Sequence, residues 1–178
     1  MKIEQTPLKI GGSLLFSSPV FSDDRGSFAP FWENSVHAPL GFQFQPESAS
    51  HSYNTTKGTV RAFHFQQSPH EQAKLVSCVS GKIWDVMVDL REDSPTRHQW
   101  VGTELSAGDG KSLYIPAGCA HGFATLEGNT TVAYLIEGPY VPEASSVIRW
   151  DDPTLNVEWP IEDPSLSDKD RTAPFLND

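Results

Sequence analysis

Basic residues are in short supply in this sequence: 13 Lys and Arg stand against 23 Asp and Glu in 178 residues, a formal charge of −10 with His neutral. So acidic a chain is a poor partner for DNA or RNA, whose binding needs a basic face to displace counterions. Cysteine is scarce as well. Cys78 and Cys119 lack CxxC spacing, and their small and apolar neighbours suit buried thiols in a reducing cytoplasm better than a disulfide. Nowhere does an apolar run approach the roughly 20 residues of a membrane-spanning helix. The first 15 residues are interrupted by Glu4, Gln5 and Lys9, where a secretory signal would run unbroken. Five Trp and ten Phe, in contrast, are too many for a disordered chain. The length suits one domain, residues 1–178, with a core large enough to need no covalent or metal staple.

Helical periodicity is also sparse. Between Phe21 and Trp150 the chain is punctuated by Gly, Pro, Asn and Asp, and the intervals are short, alternating and rich in β-branched and aromatic residues. Strands are expected at Thr59–Gln66, Lys74–Val79, Lys82–Leu90, Gln99–Leu105, Ser112–Ile115, Gly122–Leu126 and Thr131–Ile136, spaced as in a β-sandwich or barrel. Strict alternation puts Val60, Ala62, His64 and Gln66 on one face of the first, with Arg61, Phe63 and Phe65 opposite. In Lys82–Leu90 it sets Ile83, Asp85, Met87 and Asp89 against a core stripe of Trp84, Val86, Val88 and Leu90. Residues 141–178 are proline-rich but carry Ile148, Trp150, Leu155 and Trp159, so this tail should pack on the barrel. A short helix is expected in it, starting at Ser165 or Ser167.

Two motifs carry chemistry. Gly58-x5-His64 followed by Gly81, and Pro116-Ala117-Gly118-Cys119-Ala120-His121-Gly122-Phe123, resemble the two signatures of the cupin superfamily. The resemblance implies an all-β, antiparallel jelly-roll barrel with a short C-terminal helical or irregular segment. In metal-binding cupins a second His follows the first by two residues, with a Glu nearby. Here Gln66 takes that place, and two imidazoles alone chelate weakly, so no metal is expected.

The blocks Phe21-x-Asp23-x-Arg25-Gly26, Val60-Arg61-Ala62-Phe63-His64-Phe65-Gln66, Ala73-Lys74-Leu75-Val76, Gly81 to Arg91, Ser94-Pro95-Thr96, Ile115 to Phe123 and Trp150-Asp151-Asp152-Pro153 together resemble the dTDP-4-dehydrorhamnose 3,5-epimerase family. The resemblance extends from about Phe16 to Pro174, in the family's order and spacing. It implies cofactor-free proton abstraction at C3 and C5 beside the C4 ketone of a nucleoside-diphosphate 4-keto-6-deoxyhexose, as in deoxysugar and dTDP-rhamnose biosynthesis. That chemistry needs a base on one face, an acid on the other and a positive group at the developing oxyanion. By resemblance, His64 is the base, Asp170 the carboxylate that orients it, Lys74 the oxyanion stabiliser and Tyr134 the acid. Arg25 and Arg61 match arginines near the diphosphate and sugar, and His121, Tyr140 and Gln66 are candidate pocket residues. On composition alone Asp170 reads as a solvated tail charge, Lys74 as an edge-strand charge and Tyr134 as core. A homodimer with exchanged N-terminal strands is also implied.

Three departures from the family pattern fall near these blocks. Ala62-Phe63 stands where the family shows Gly-Leu or Gly-Met, Pro30 where an acidic residue is common, and Ser48-Ala49-Ser50 where Gln-x-Asn precedes His-Ser. They touch nucleotide recognition more than proton chemistry. Two other readings are therefore an epimerase acting at one carbon or on another nucleotide sugar, and a metal-dependent or non-enzymatic cupin.

Overall fold

Gly, Pro and Asn/Asp turns cut the chain into short strands, and a computed structural model describes them over residues 2–176. In order these are β1 (Glu4–Pro7), β2 (Leu14–Ser17), β3 (Phe21–Asp23), β4 (Gly26–Phe28), β5 (Ser48–Asn54), β6 (Val60–Gln66), β7 (Ala73–Ser80), β8 (Lys82–Asp89), β9 (Trp100–Ser106), β10 (Lys111–Ile115), β11 (Cys119–Thr125), β12 (Thr130–Glu137) and β13 (Ser145–Val147). Helix is confined to short pieces, with α1 at Asn34–His37 and α2 at Asp168–Arg171. Among the described residues no helix is long and apolar enough to cross a membrane.

The strands form an antiparallel jelly roll of two sheets, ordered β1-β2-β10-β7-β12-β5 and β13-β6-β11-β8-β9, with β3 and β4 apart as a hairpin. Between the sheets lies a core of Val76, Cys78, Leu113, Ile115 and Val132 from one and Ile83, Met87, Leu105, Cys119 and Phe123 from the other. The outer faces are covered too. Phe42, Phe44, Trp32 and Leu40 pack with Phe16 and Leu75 outside the first sheet, and the tail's Ile148, Leu155, Trp150 and Trp159 cover Val60, Val86, Val88 and Ala124 outside the second. In the tail, Val157, Ile161, Leu166 and Leu176 join the same cluster. The tail's helix is capped by Ser167, whose Oγ accepts the Asp170 N–H at 3.1 Å, while Ser165 pairs with Thr59 instead.

One alternation expectation holds with an addition and one needs correction. Trp84, Val86, Val88 and Leu90 do form a core stripe, under the tail, and Ile83, Asp85, Met87 and Asp89 on the other face are buried too, because both faces of the sheet are covered. In β6, His121 pairs with His64 but Phe123 with Arg61, so two steps on β11 match three on β6. This bulge resets the strand's parity. Val60, Ala62 and Phe63 consequently join the cluster under the tail. Arg61 and His64, opposite the inward-facing Phe123 and His121, share the inner face.

Candidate active site

The inner face of β6 and its neighbour β11 in one sheet looks toward β7, β12 and β5 of the other. On β6, His64 Nε2 lies 2.9 Å from Oδ1 of Asp170 on α2, the carboxylate being almost fully buried and the imidazole side chain 38% exposed. A buried carboxylate against one ring nitrogen can orient an imidazole and leave its other nitrogen free to take a proton. Lys74 on β7 donates from Nζ to the His64 carbonyl oxygen at 3.3 Å. Burial pulls its ammonium down to about 8, opposed by the negative charge of Asp85.

Beneath these groups lies a second His–carboxylate pair. His121 Nε2 donates to Asp85 Oδ1 at 2.7 Å, with both residues buried. The other Asp85 oxygen has no partner among the described residues. Tyr134 on β12 stands edge-on to His121 at 6.0 Å between ring centres and shares a 3.0 Å hydrogen bond with Ser52 Oγ on β5. Burial drives its phenol far above the ordinary range, and Asp85 adds to the shift, so the ring is a neutral donor at physiological pH. Arg61 completes the rim. Its Nε donates to Asn54 Oδ1 at 2.9 Å, and the Asn54 amide in turn binds the Thr130 carbonyl.

The remaining candidates are placed differently. Gln66 is buried and donates to the His70 and Pro139 carbonyls at 2.6 and 3.0 Å while accepting the Val141 N–H at 2.7 Å. Its amide ties two loops together. Tyr140 is 69% exposed beyond those loops. Arg25 sits on the β3–β4 hairpin with its side chain 90% exposed and, among the described residues, bonded only to Asp23, so the fold of one chain does not bring it to His64. Among the described residues no group of three or more His, Cys, Asp or Glu side chains assembles that would hold a metal. Asp85, Ser52 and Asn54 were not singled out in the sequence. The signal for Asp85 was a charge alternating with Ile83 and Met87, since an acid on an apolar face must have a buried partner.

Both thiols are buried and free, with burial raising Cys78 to about 11 and Cys119 to about 12, so neither supplies a thiolate nucleophile.

Residues 7–178 match the family model described as dTDP-4-dehydrorhamnose 3,5-epimerase. A protein of that name from Shigella flexneri is 40% identical over 158 residues, covering 88% of this chain and 87% of its own length. The crystal structure of the Bacillus anthracis dTDP-4-dehydrorhamnose 3,5-epimerase, with TDP and pyrophosphate bound, superposes with a TM-score of 0.93 at 39% identity, covering 98% of this chain and 99% of that one. The Legionella pneumophila enzyme in complex with dTDP-4-keto-L-rhamnose gives 0.90 at 33% identity over 97% of this chain and 92% of its own.

Proposed function

The chain belongs to the dTDP-4-dehydrorhamnose 3,5-epimerase family, and from that premise we propose that it inverts C3 and C5 of a nucleoside-diphosphate 4-keto-6-deoxyhexose. The best candidate reaction is conversion of dTDP-4-keto-6-deoxy-D-glucose to dTDP-4-keto-L-rhamnose in dTDP-rhamnose biosynthesis. The observation that carries the reading is the His64–Asp170 contact, with Lys74 bonded to the His64 carbonyl, Arg61 on the same strand and Tyr134 on β12 of the facing sheet.

In this reading His64 removes the proton at C3 or C5, and the C–H bonding pair becomes the enolate whose oxygen is the former C4 carbonyl. Asp170 stabilises the imidazolium. The Lys74 ammonium, its solvation already stripped by burial, answers the oxyanion. Tyr134 donates its phenolic proton to the opposite face of the carbon, which inverts the centre. Its raised affinity for that proton makes a free phenolate costly, so Ser52 Oγ, 3.0 Å away, would steady the charge as it forms. Neither a cofactor nor a metal is needed, because the ketone itself acidifies both C–H bonds.

A second copy would complete the site. Arg25 lies on a hairpin whose Phe21 and Phe28 are 54% and 67% exposed, a surface suited to reaching into another chain's pocket and presenting a guanidinium to the diphosphate. We therefore infer a homodimer of one-domain subunits with the β3–β4 hairpin exchanged. The buried free thiols suit a cytoplasmic enzyme.

The experiment is solvent-deuterium exchange: incubate the 4-keto nucleotide sugar with the protein in D2O and follow C3 and C5 by NMR. Label at both carbons is expected. Label at one carbon would restrict the enzyme to a single centre, and label at neither with dTDP-, CDP-, UDP- and GDP-sugars would overturn the reading.

A further inference from the structure

Asp170 reaches His64 from a helix of only four residues, and so short a helix cannot position itself. The strand that carries the base does not carry its carboxylate, and some other feature must hold the backbone around residue 170 in place.

On the upstream side the attachment is a patch of sheet. The Ser165 N–H donates to the Gly58 carbonyl at 2.8 Å, and the Val60 N–H donates to the Ser165 carbonyl at 2.9 Å. Downstream the holder is the segment 149–152. The Arg149 N–H donates to the Pro174 carbonyl at 2.9 Å, and its guanidinium lies 4.4 Å over the Phe175 ring. Asp152 makes the closest contact. Its Oδ1 accepts the N–H groups of Thr154 and Leu155 at 2.9 and 3.0 Å, and its Oδ2 accepts the Leu176 N–H at 2.6 Å. The residue is 1% exposed, and among the described residues all its carboxylate hydrogen bonds come from backbone. A buried charge is tolerated there only because three oriented N–H groups replace water, so the carboxylate is committed to that geometry.

We infer that Asp152 is a positioning residue for the epimerisation: by gripping Leu176 it closes the far end of the segment 165–176 and keeps Asp170 against His64. This deepens the proposed function and rests on its reading of the His64–Asp170 pair. Asp152 touches no reacting atom and acts only through Asp170. A displacement of about 1 Å in an orienting group can cost up to 10²-fold in rate, which sets the scale of the effect.

The variant Asp152→Asn keeps one acceptor oxygen for the turn at Thr154 and Leu155 and turns an NH2 toward the Leu176 N–H. A chain ending at Pro174 removes the gripped residues and leaves Asp152 intact. Both should lower kcat for deuterium exchange about tenfold or more with KM within about twofold of the parent. In an Asp170→Asn background, Asp152→Asn should have no further effect on the residual kcat, because the residue it positions is gone.

Parent-like kcat in both the Asp152→Asn and the shortened chain, with Asp170→Asn impaired, would overturn the inference and leave the proposed function standing. An equal further loss in the Asp170→Asn background would also overturn it, since a general loosening of the fold adds to any other lesion. Should Asp170→Asn itself keep full kcat, the dyad reading fails and the inference goes with it.

Discussion

Gly122 on β11 lies directly against Ala62 in the β6 bulge: a Cβ at residue 122 would stand 2.5 Å from the Ala62 Cβ, 2.9 Å from its Cα and 3.0 Å from the Arg61 carbonyl oxygen. The absent side chain is what lets the bulged strand lie flat on its neighbour. That bulge turns both Arg61 and His64 to the inner face. The glycine after His121 in the cupin-like motif therefore serves the residues on the adjacent strand.

Gly122→Ala is accordingly expected to destabilise the fold by about 1–3 kcal/mol, the usual cost of forcing extra volume into a packed site. Thermal unfolding measures it. Exchange activity should fall out of proportion to the stability loss, because backbone has to move on the strand that carries the proposed base, His64. A second change, Ala62→Gly, removes the nearest clash but not those with the Ala62 Cα and the Arg61 carbonyl, so only partial rescue is expected.

His64→Asn removes the proposed base and should abolish deuterium incorporation at C3 and C5. Asp170→Asn leaves the imidazole in place without its buried countercharge, and a loss of about 10²–10⁴-fold in kcat is expected, the range for a general acid–base contribution. Circular dichroism checks that both variants fold. Retention of full exchange by His64→Asn would mean that another group takes the proton.

For Tyr134→Phe the two half-reactions should separate. The stability cost is about 1 kcal/mol for the lost hydrogen bond to Ser52. Proton removal by His64 continues, whereas delivery to the far face loses its donor. The ratio of inversion, followed by product NMR, to deuterium wash-in on the original face should therefore fall by at least tenfold. Equal losses in both would point to Tyr134 as a shaping residue only.

If the exposed hairpin serves a second subunit, activity should be recoverable by mixing two damaged chains. In a heterodimer of His64→Asn with Arg25→Ala, one pocket has an intact His64 and receives an intact Arg25 from the other chain. Refolding the two variants together should restore turnover toward one working site per mixed dimer, with the species counted by sedimentation. No recovery in demonstrated heterodimers would place Arg25 in its own chain's site or outside any site.

The strands from β6 to β12 were legible to within one residue at each end, because each alternates and is bounded by turn residues, except β11, which starts at Cys119 and not at the expected Gly122. Strands β1 and β5 are exposed edge segments, EQTP and SASHSYN, with no apolar alternation to reveal them. At the site, the parity of β6 departs from strict alternation because a bulge leaves no mark in composition, and the glycine that accommodates it, Gly122, lies on another strand. Asp170 read as a tail charge because its burial depends wholly on where the tail docks. Asp85 was visible as an acid between Ile83 and Met87, but its partner His121 is 36 residues away and only the sheet brings them together.

Lys74 gives the sharpest pH prediction. Its ammonium is held down to about 8 by burial, so the positive charge proposed to meet the oxyanion is largely in place at neutral pH and is lost as pH rises through 8. The kcat/KM profile should accordingly show an alkaline fall near that value. Lys74→Arg should move the fall upward, since a guanidinium stays charged there. Lys74→Met should remove it along with most of the rate. Stability runs the other way. Between pH 8 and the ordinary lysine value the unfolded chain binds the proton that the folded chain has released, so the parent gains stability relative to Lys74→Met as pH rises through that window. Denaturant titrations of the two proteins at pH 7 and pH 10 measure this gain. A difference that stays flat would mean that Lys74 is solvated in the folded chain, and its proposed role at the oxyanion would lose its physical basis.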